Sequence, residues 1–509
     1  MQSVNGRAHP GATVAGAPGG AAAAKSEGET PVIQLFKRTR DLQGRWPVPR
    51  ASEILVVPLG GLGRIGMNWT LYGHDGRWLL VDAGIAFPDA DMDGVDAIMP
   101  DPAFLAPILP RLDGLVVTHA HEDHIGAVAK LWPHAIGCPV YATPFASAML
   151  SRRLEEAGTL DDVDLRVFQA GSGFCIGPFR IRPVHMTHSI PEPVALAIST
   201  AAGTVVHSGD WKLDSDPQIG APADLDTLRA IGDEGVLALL CDSTNAHEER
   251  PRTSEADVSR AFRHIFANAQ GTVVVCCFAT NVARIAAAAD AAAASGRCIA
   301  LAGRSMRATA EVAEGLGYLS PDMFLAEPGH LKGLDRRDVA LACTGTQGEE
   351  KAALARLAMG GGRHLPKLER GDVVIMSSRV IPGNEAAVEK VVSMLRQRGV
   401  TVIAAGEEAG GSPVHVTGHP GRGELRALYS ALRPRFAIPV HGTDMHLEAH
   451  AELARSCGVR DAAVSAEGEV IAVSRSGVRV LGRLRAPMLH LGRDGDGGWR
   501  VQPLQSARA

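Results

Sequence analysis

One stretch constrains this chain more than any other: residues 118–126, with the sequence THAHEDHIG. Three histidines and one aspartate fall within six positions there. The apolar residues 115–117 before the stretch predict a short strand, and the small and apolar residues after Gly126 predict a helix. The cluster is therefore expected on a strand-to-helix loop, where side chains can converge on one point. The alternative is a polar surface loop with histidines gathered by chance.

The residue types and their spacing indicate a metal site. Residues two apart in extended backbone face the same side, so His119 and His121 can bind one ion together. Asp123 and His124 begin the next turn and point elsewhere, which suits a second ion. Imidazole nitrogens and carboxylate oxygens are the ligands of catalytic zinc, with Mn²⁺ as an alternative.

Length and charge set broad limits. The 509 residues are enough for two to four domains, and 46% hydrophobic with 21% charged residues is ordinary for a globular chain. The net charge of −5 argues against an overall basic surface for nucleic acid, but it permits a local basic groove. Residues 1–50 are rich in Gly, Ala and Pro and predict a disordered tail. Its basic part, residues 31–50, is either an RNA-backbone contact or a solvated linker.

The cysteines and the hydropathy predict a cytoplasmic protein. The chain has eight cysteines, none in a Cys-x-x-Cys pair, and most lie in apolar runs, so we expect buried free thiols in a reducing compartment. No apolar run reaches transmembrane length and no signal peptide is recognisable, so no membrane partner is expected.

A glycine motif invites a different interpretation. Residues 61–66 read Gly-x-Gly-x-x-Gly after a predicted strand at 54–57, and Asp82 lies near the distance of a ribose-binding acid. A dinucleotide site requires a helix after the glycines. Residues 68–72 are instead β-prone, and a turn and a second strand at 78–81 follow, which predicts a hairpin.

Several predicted strands deliver polar residues at their carboxyl ends. His185 and His188 follow the strand at 179–184, and His207 and Asp210 follow the strand at 204–206. Asp242 follows the strand at 236–240, and His441 follows the strand at 436–440. This recurrence is how a sheet builds a site along one edge, with His185 and His207 as the weaker candidates. Residues 271–300 and 372–403 each predict a βαβ unit of a separate α/β domain. From residue 468 a short β segment is expected, and its pattern ends after 492.

The cluster resembles the His-x-His-x-Asp-His signature of the metallo-β-lactamase superfamily, and Asp82-Ala83-Gly84 resembles its first motif. Further stretches resemble the ribonuclease J family of the β-CASP group, from residue 60 to about 480. They are THSIP (187–191), GDWK (209–212), DSTN (242–245), TGTQGE (344–349), IPGNE (381–385), HVTGH (415–419) and PVHG (439–442).

The resemblance implies an α/β fold, a metallo-β-lactamase αββα sandwich with an inserted β-CASP α/β cap domain. The expected division is a tail at 1–50, the first part of the sandwich at 51–243, the cap at 244–432, the second part at 433–484 and a tail at 485–509. It also implies a metal-dependent ribonuclease with RNA as its substrate. The expected cofactors are two Zn²⁺ ions, with Mn²⁺ or Mg²⁺ as alternatives. The expected activity is 5′-to-3′ exonuclease on 5′-monophosphate RNA with endonuclease activity, in RNA processing and decay.

The resemblance also assigns roles to residues. His119, His121 and His188 are expected to hold one metal, and Asp123, His124 and His441 the other, with Asp210 bridging. Asp242 and His419 match cap motifs, His419 is the expected general acid, and Asp82 orients the metal loop. For a 5′-phosphate pocket we expect Ser377, Ser378, His415, Thr417 and His419, whose alternative role is to cap the hinge between domains.

Three departures from the family pattern are visible. Thr443 and Arg64 stand where the family usually has Glu, and only 25 residues follow Leu484, where a further domain is usual. The expected assembly is therefore a monomer or weak homodimer, alone or with RNA-decay partners. Two other functions stay open: a metallo-hydrolase of another substrate (DNA or a small ester or thioester), and a non-catalytic RNA-binding partner.

Overall fold

The structure is a computed structural model that describes residues 40–88, 92, 94–132, 136–250, 253–325, 327–362, 364–381, 383–493 and 499–502. In chain order its strands are β1 Ile54–Pro58, β2 Thr70–His74, β3 Arg77–Val81, β4 Ala97–Pro100, β5 Leu112–Val116, β6 Val140–Ala142, β7 Leu165–Val167, β8 Phe174–Ile176, β9 Phe179–His185, β10 Val194–Thr200, β11 Gly203–His207, β12 Ala238–Asp242, β13 Val273–Cys276, β14 Cys298–Ala302, β15 Val339–Cys343, β16 Val373–Met376, β17 Thr401–Ile403, β18 Glu408–Ala409, β19 Ser412–Pro413, β20 Phe436–Val440, β21 Asp461–Ala462, β22 Glu469–Ser474, β23 Gly477–Arg483, β24 Met488–Arg493 and β25 Trp499–Gln502.

The helices of the described residues are α1 Glu122–Ile125, α2 Val128–Leu131, α3 Pro144–Ala157, α4 Leu225–Glu234, α5 Glu255–Asn268, α6 Val282–Ala294, α7 Arg304–Gly315, α8 Ala353–Ala358, α9 Glu385–Gln397, α10 Arg422–Leu432 and α11 Asp444–Ser456.

Two sheets stacked face to face form the body. The first has the order β23-β22-β1-β2-β3-β5-β6-β7, and the second β21-β20-β12-β11-β10-β9-β8. Strand β1 shows why both faces of a sheet are covered. Ile54 and Val56 join the apolar layer between the sheets, while Leu55 and Val57 join the layer under the helices. Alternate residues of a strand face opposite sides, so an unbroken apolar run indicates a strand buried on both.

Helices cover the outer faces of the two sheets. Helix α3 packs on the first sheet through Phe145 and Leu150, while α4, α10 and α11 pack on the second. The expected αββα sandwich is confirmed. The expected cap, residues 244–432, includes helix α10, but Leu425 and Leu428 on its apolar face pack with Leu228 of α4, so α10 packs with the body.

The cap is a five-stranded parallel sheet with the order β14-β15-β13-β16-β17 and helices on both sides. Helices α5, α6 and α7 pack on one face, and α8 and α9 on the other. Both predicted βαβ units are confirmed: β13-α6-β14 and β16-α9-β17. The cap is inserted between β12 and β20, which pair in parallel in the second sheet of the body.

Residues 40–49 differ from the predicted disordered tail. The backbone N–H of Leu42 donates to the carbonyl of Arg483 (2.9 Å), and the Trp46 ring packs against Trp78 (5.5 Å between centroids) and Phe104 (5.0 Å). The composition of residues 1–50 as a whole predicts disorder, and it gives no weight to the contacts that Trp46 makes with the body. Residues 1–39, the rest of the predicted tail, lie outside the described residues.

The chain beyond residue 484 also departs from a patternless tail. Strand β24 pairs with β4 and with β25 in a small antiparallel sheet, so the β segment continues past 492. The partner strand β4 lies almost 400 residues earlier in the chain. The alternation of apolar and polar residues within β24 cannot indicate a partner so far away.

The eight cysteines are all free. Four of them are buried as predicted, but Cys175, Cys298 and Cys457 are exposed and Cys138 is half-buried. Among the described helices, none has the length and apolar character needed to cross a membrane.

Candidate metal centre

The carboxyl ends of parallel strands bring the predicted ligands together. Strands β11, β12 and β20 pair in parallel, and β9 runs in the same direction because β10 is antiparallel to both β9 and β11. Their carboxyl ends therefore lie on one edge, where the residues after them project. In the first sheet β3 and β5 are also parallel, and they deliver Asp82 and the loop of residues 118–124 to the same place.

Three histidines and a carboxylate form the first set of candidate ligands. Nε2 of His119 and Nε2 of His188 each lie 3.1 Å from Nδ1 of His121. Oδ2 of Asp210 lies 3.8 Å from the Nε2 atoms of His119 and His188. Ligand atoms on a tetrahedral zinc stand about 3.3 Å apart, given metal–nitrogen distances near 2.0–2.1 Å. The donor set and its spacing fit a divalent cation.

Asp123, His124 and His441 gather around the other side of Asp210. Oδ2 of Asp123 lies 3.3 Å from Nε2 of His441 and 3.6 Å from Nε2 of His124, which is 3.3 Å from Oδ2 of Asp210. Nε2 of His441 is buried and has no hydrogen-bond partner among the described residues. An orphaned nitrogen 3.3 Å from a carboxylate oxygen fits a second cation. Nδ1 of the same ring lies 2.7 Å from Oδ1 of Asp210, which stands between the two sets.

The protonation states suit these roles. Burial lowers the pKa of His121 to about 4 and holds the pKa values of His119 and His188 well below the usual range, so these rings present free lone pairs. Burial also lowers the pKa of His124 and His441, but the charges of Asp210 and Asp123 outweigh it and raise both. The same excess of negative charge that raises these two pKa values attracts a divalent cation, which would displace the proton from the nitrogen that binds it.

Asp82 organises the metal loop. Its carboxylate accepts hydrogen bonds from the N–H (2.7 Å) and hydroxyl (2.8 Å) of Thr118 and from Nδ1 of His124 (2.7 Å). Asp82 is buried and adopts a left-handed φ of 59°, which a non-glycine residue keeps only where its surroundings enforce it. His441 shares this backbone state, with a φ of 54°. Thr118, which sequence reasoning missed, stands beside the motif and binds both Asp82 and His119 (3.0 Å).

The glycine-rich stretch 60–66 lies against the second set of candidate ligands. It does not lead into the helix that a dinucleotide site requires, in agreement with the sequence prediction. A Cβ on Gly66 would lie 3.4 Å from Cβ of Asp123, and one on Gly61 would lie 2.5 Å from Oδ1 of Asn68. Asn68 in turn donates from its backbone (2.8 Å) and side chain (3.3 Å) to the carbonyl of Asp123. The glycine run is the sequence feature that could have pointed to Asn68, because glycines that no helix follows indicate a close approach of the backbone to neighbouring groups.

His419 and Asp242 form a pair at the mouth of the centre. Nδ1 of His419 lies 2.7 Å from Oδ2 of Asp242, whose Oδ1 accepts from the backbone N–H of Thr244 (2.9 Å) and from its hydroxyl (2.7 Å). Burial lowers the pKa of His419, but the charge of Asp242 and the hydrogen bond to it outweigh that effect and raise the pKa overall. Its side chain remains 23% exposed, so part of the ring is open to solvent.

The residues proposed for a phosphate divide into two kinds. Oγ of Ser378 and Nε2 of His415 are buried and have no hydrogen-bond partner among the described residues. The hydroxyl of Ser377, by contrast, donates to the carbonyl of Val414 (2.6 Å), so Ser377 has no side-chain proton for a phosphate. Thr417 accepts from Asn245 (3.2 Å) and from the N–H of His419 (3.2 Å) and keeps only its proton to donate.

The two weaker histidine candidates lie outside both ligand sets. Nε2 of His185 bonds to the carbonyl of Ala221 (2.8 Å). Nδ1 of His207 lies 2.9 Å from the hydroxyl of Tyr72 beneath the centre. Both side chains thus make contacts within the body, and neither belongs to the two sets.

Three family models match successive parts of the chain: the metallo-beta-lactamase superfamily (62–235), Ribonuclease J, beta-CASP domain (270–395), and the Zn-dependent metallo-hydrolase RNA specificity domain (412–467). The chain is 42% identical over 436 residues to Ribonuclease J of Sinorhizobium meliloti, which covers 84% of this chain and 76% of that protein. It belongs to the ribonuclease J family.

Other relatives agree. Ribonuclease J 1 of Streptococcus pyogenes is 37% identical over 462 residues (90% of this chain, 81% of that protein). Ribonuclease J of Corynebacterium glutamicum is 42% identical over 457 residues (89% and 63%). A crystal structure of a protein of unknown function from Enterococcus faecalis shares the fold, with a TM-score of 0.58 at 14% identity over 83% of this chain and all of that one.

Two positions where this ribonuclease J family member departs from the usual sequence lie beside the centre. Arg64 forms a backbone bridge to Gly442, and its Nε lies 3.2 Å from Oε1 of Glu467. Thr443 is the N-cap of α11, and its backbone N–H donates to Nδ1 of His446 (3.3 Å). Both residues are thus engaged within the body next to the ligand His441.

Proposed function

We propose that this chain is a metal-dependent ribonuclease that degrades 5′-monophosphorylated RNA from its 5′ end and also cuts internally. The proposal rests on the arrangement of the site: two sets of candidate ligands share Asp210. The segment that bears His419 also bears His415, whose Nε2 has no partner among the described residues and suits a phosphate. The names of the relatives support RNA as the substrate.

The proposed cofactors are two zinc ions, with Mn²⁺ and Mg²⁺ as alternatives. His119, His121 and His188 would hold one, Asp123, His124 and His441 the other, and Asp210 both. Two cations so placed supply Lewis-acid stabilisation of the phosphate and make water acidic enough to attack at neutral pH. Asp82 and Asn68 act indirectly, since they fix the rings and carboxylates that face the cations.

His419 is the proposed general acid. Asp242 holds the ring through Nδ1 and favours its protonated form, which leaves Nε2 to give a proton to the leaving 3′ oxygen. The inserted segment contributes His419 and the body contributes the candidate ligands, so catalysis requires the two parts to be positioned correctly against each other.

The pocket for the 5′ phosphate rests on a tautomer argument. Burial and the charge of Arg284 keep the pKa of His415 well below its usual range, so the ring is neutral. Nη1 of Arg284 lies 2.6 Å from Nδ1 of His415, and a guanidinium only donates, so Nδ1 accepts and Nε2 carries the proton. That N–H and the Ser378 hydroxyl have no hydrogen-bond partner in the part of the chain that the structure describes, and donors of this kind suit a phosphate monoester.

The test is a digest of one RNA sequence prepared with a 5′ monophosphate and with a 5′ triphosphate, each labelled at both ends. We expect mononucleotides to be released progressively from the 5′-monophosphate RNA, and slow or only internal cleavage of the triphosphate form. A DNA of the same sequence is the control for substrate class. Equal degradation of both RNAs would refute the pocket, and no cleavage of any RNA by metal-loaded protein would refute the function.

A further inference from the structure

Residues 415–419, here called the hinge segment, lie between the proposed phosphate pocket and the first set of metal ligands. His415 belongs to the pocket and His419 is the proposed acid. Gly418, between them in the chain, has no side chain and no role in the function proposed so far. Its backbone carbonyl nevertheless contacts a metal ligand.

The carbonyl oxygen of Gly418 accepts a hydrogen bond of 2.6 Å from Nδ1 of His188, 230 residues away in the chain. This bond fixes the tautomer of His188 and turns its Nε2 toward Nδ1 of His121, 3.1 Å away. Partners of this kind orient a ligand and set its basicity. The orientation of one body ligand therefore depends on a segment by which the chain returns from the cap.

The approach is close enough to require glycine. A Cβ on Gly418 would lie 2.7 Å from Cε1 and 2.8 Å from Nδ1 of His188, and 3.0 Å from Oγ of Ser189. The backbone of Gly418 is not left-handed, so alanine would be unfavourable for lack of space and not through strain. Gly418→Ala therefore requires a shift of the His188 ring or of the hinge segment, and it also crowds Ser189.

The other side of the hinge segment is anchored. Arg284 donates to the carbonyl of Val416 and to His415, and its Nε lies 3.2 Å from Oε2 of Glu255. Nδ2 of Asn245 donates to Oγ of Thr417 (3.2 Å) and to the carbonyl of His419 (3.3 Å). The carbonyls of Val416 and His419 and the side chains of His415 and Thr417 are therefore held, and they fix the position of Gly418 between them.

We infer that Gly418 is a positioning residue that couples the phosphate pocket to the first metal set. A 5′ phosphate bound by His415 and Ser378 stabilises the hinge segment in the position where Gly418 orients His188. The cation at His119, His121 and His188 is then held more tightly. Coupling is reciprocal, so the cation also favours phosphate binding. This inference rests on the proposed phosphate pocket.

The test measures Zn²⁺ affinity by competition with a chromogenic chelator, first without RNA. We expect Gly418→Ala to weaken one of the two zinc sites by about 10–100-fold, the usual effect of losing such a partner. Gly423→Ala is the matched control, because no atom of the described residues lies within 4 Å of a Cβ there. Its zinc affinity should equal that of the unmodified protein. Equal affinity in both variants would overturn the inference.

The second measurement repeats the titration with uncleavable 2′-O-methyl RNA carrying a 5′ phosphate or a 5′ hydroxyl. In the unmodified protein the phosphorylated form should tighten zinc more than the hydroxyl form, by roughly 5-fold or more. Gly418→Ala should abolish this difference, and Gly423→Ala should keep it. Simple attraction between phosphate and cation would survive Gly418→Ala, and that result would also overturn the inference.

A further variant guards against a misfolded Gly418→Ala protein. Asn245→Ala removes two anchors of the hinge segment without adding atoms, and it should reduce the difference between the two RNAs. An unchanged difference would count against transmission through the segment. Failure of the unmodified protein to bind zinc, or to distinguish the two RNAs in the digest, would instead contradict the proposed function.

Discussion

Nδ1 of His124 lies 2.7 Å from Oδ2 of Asp82, so a carboxylate outside both ligand sets fixes a ring whose other nitrogen faces Asp210 and Asp123. The same carboxylate holds the backbone N–H of Thr118. One side chain thus sets the position of a ligand and the path of the loop that carries the ligands.

Replacing Asp82 by Asn should lower metal affinity by about 10–100-fold. The amide can accept from Thr118 through one oxygen, but it lacks the charge and the second oxygen that hold His124. The measurement is metal bound per chain against a chelator series. Asp161→Asn, an exposed acid on the surface, is the control, and equal affinity in the two variants would remove Asp82 from the metal centre.

Removal of a ligand should have a larger effect. His121→Ala or Asp210→Ala should abolish RNA cleavage and reduce bound metal, because a cation contributes several kcal/mol to stabilising the transition state. His185→Ala, a histidine at a strand end but outside both sets, should retain activity and metal. Full metal occupancy with unchanged cleavage in both ligand variants would contradict the ligand assignment.

His419→Ala should separate chemistry from metal binding. We expect a loss of about 10²–10⁴-fold in the rate of cleavage, the usual contribution of a positioned acid, with metal content unchanged. Single-turnover kinetics with saturating enzyme report the rate, and elemental analysis reports the metal. If metal leaves together with activity, His419 is a ligand and the division of roles is wrong.

Adjacent serines offer a matched pair for the phosphate pocket. Ser378→Ala, like His415→Ala, should erase the preference for 5′-monophosphate over 5′-triphosphate RNA more than it slows internal cleavage. Ser377→Ala removes a hydroxyl already bonded to Val414, so the preference should remain. The ratio of the two degradation rates is the measurement. The opposite order between the serines would move the pocket to Ser377.

A buried ion cluster beneath the cap should contribute to stability in a pH-dependent way. Burial raises the pKa of Glu255, but Arg284 and Lys212 outweigh it and lower the pKa overall. A lowered folded pKa means that the stabilisation is present above the ordinary pKa of about 4.3 and is lost as pH falls through the folded value.

Glu255→Gln should therefore destabilise the protein by about 3–5 kcal/mol at neutral pH, since it leaves buried cations uncompensated. The difference in unfolding midpoint from the unmodified protein should shrink in acid below about pH 4. Glu156→Gln, in a surface pair with Arg152, should cost under about 1 kcal/mol. Calorimetry at neutral and acid pH checks both, and a pH-independent difference would contradict the assignment.

The sequence sufficed where signals were local. Unbroken apolar runs located strands such as β1, β12 and β20, and the recurrence of polar residues after them predicted one edge for the site. It did not suffice where partners are distant. The contact of Gly418 with His188, the pairing of β24 with β4 and the docking of Trp46 each join residues far apart in the chain. Likewise only the structure shows that the Ser377 hydroxyl bonds to Val414 while the Ser378 hydroxyl has no partner among the described residues, because neighbouring serines look alike in sequence.

Strands β12 and β20 pair in parallel from Ala238↔Phe436 to Asp242↔Val440, so the chain leaves the body and returns to it on adjacent strands, about 4.8 Å apart. Asp242 stands at the exit and His441 just after the return. A whole domain can therefore be exchanged at this point without interrupting the sheet that carries the ligands. In evolutionary terms, a changed insertion would alter which polymers reach the ligands, but it must again supply an acid in the place of His419, because His419 lies on the inserted segment.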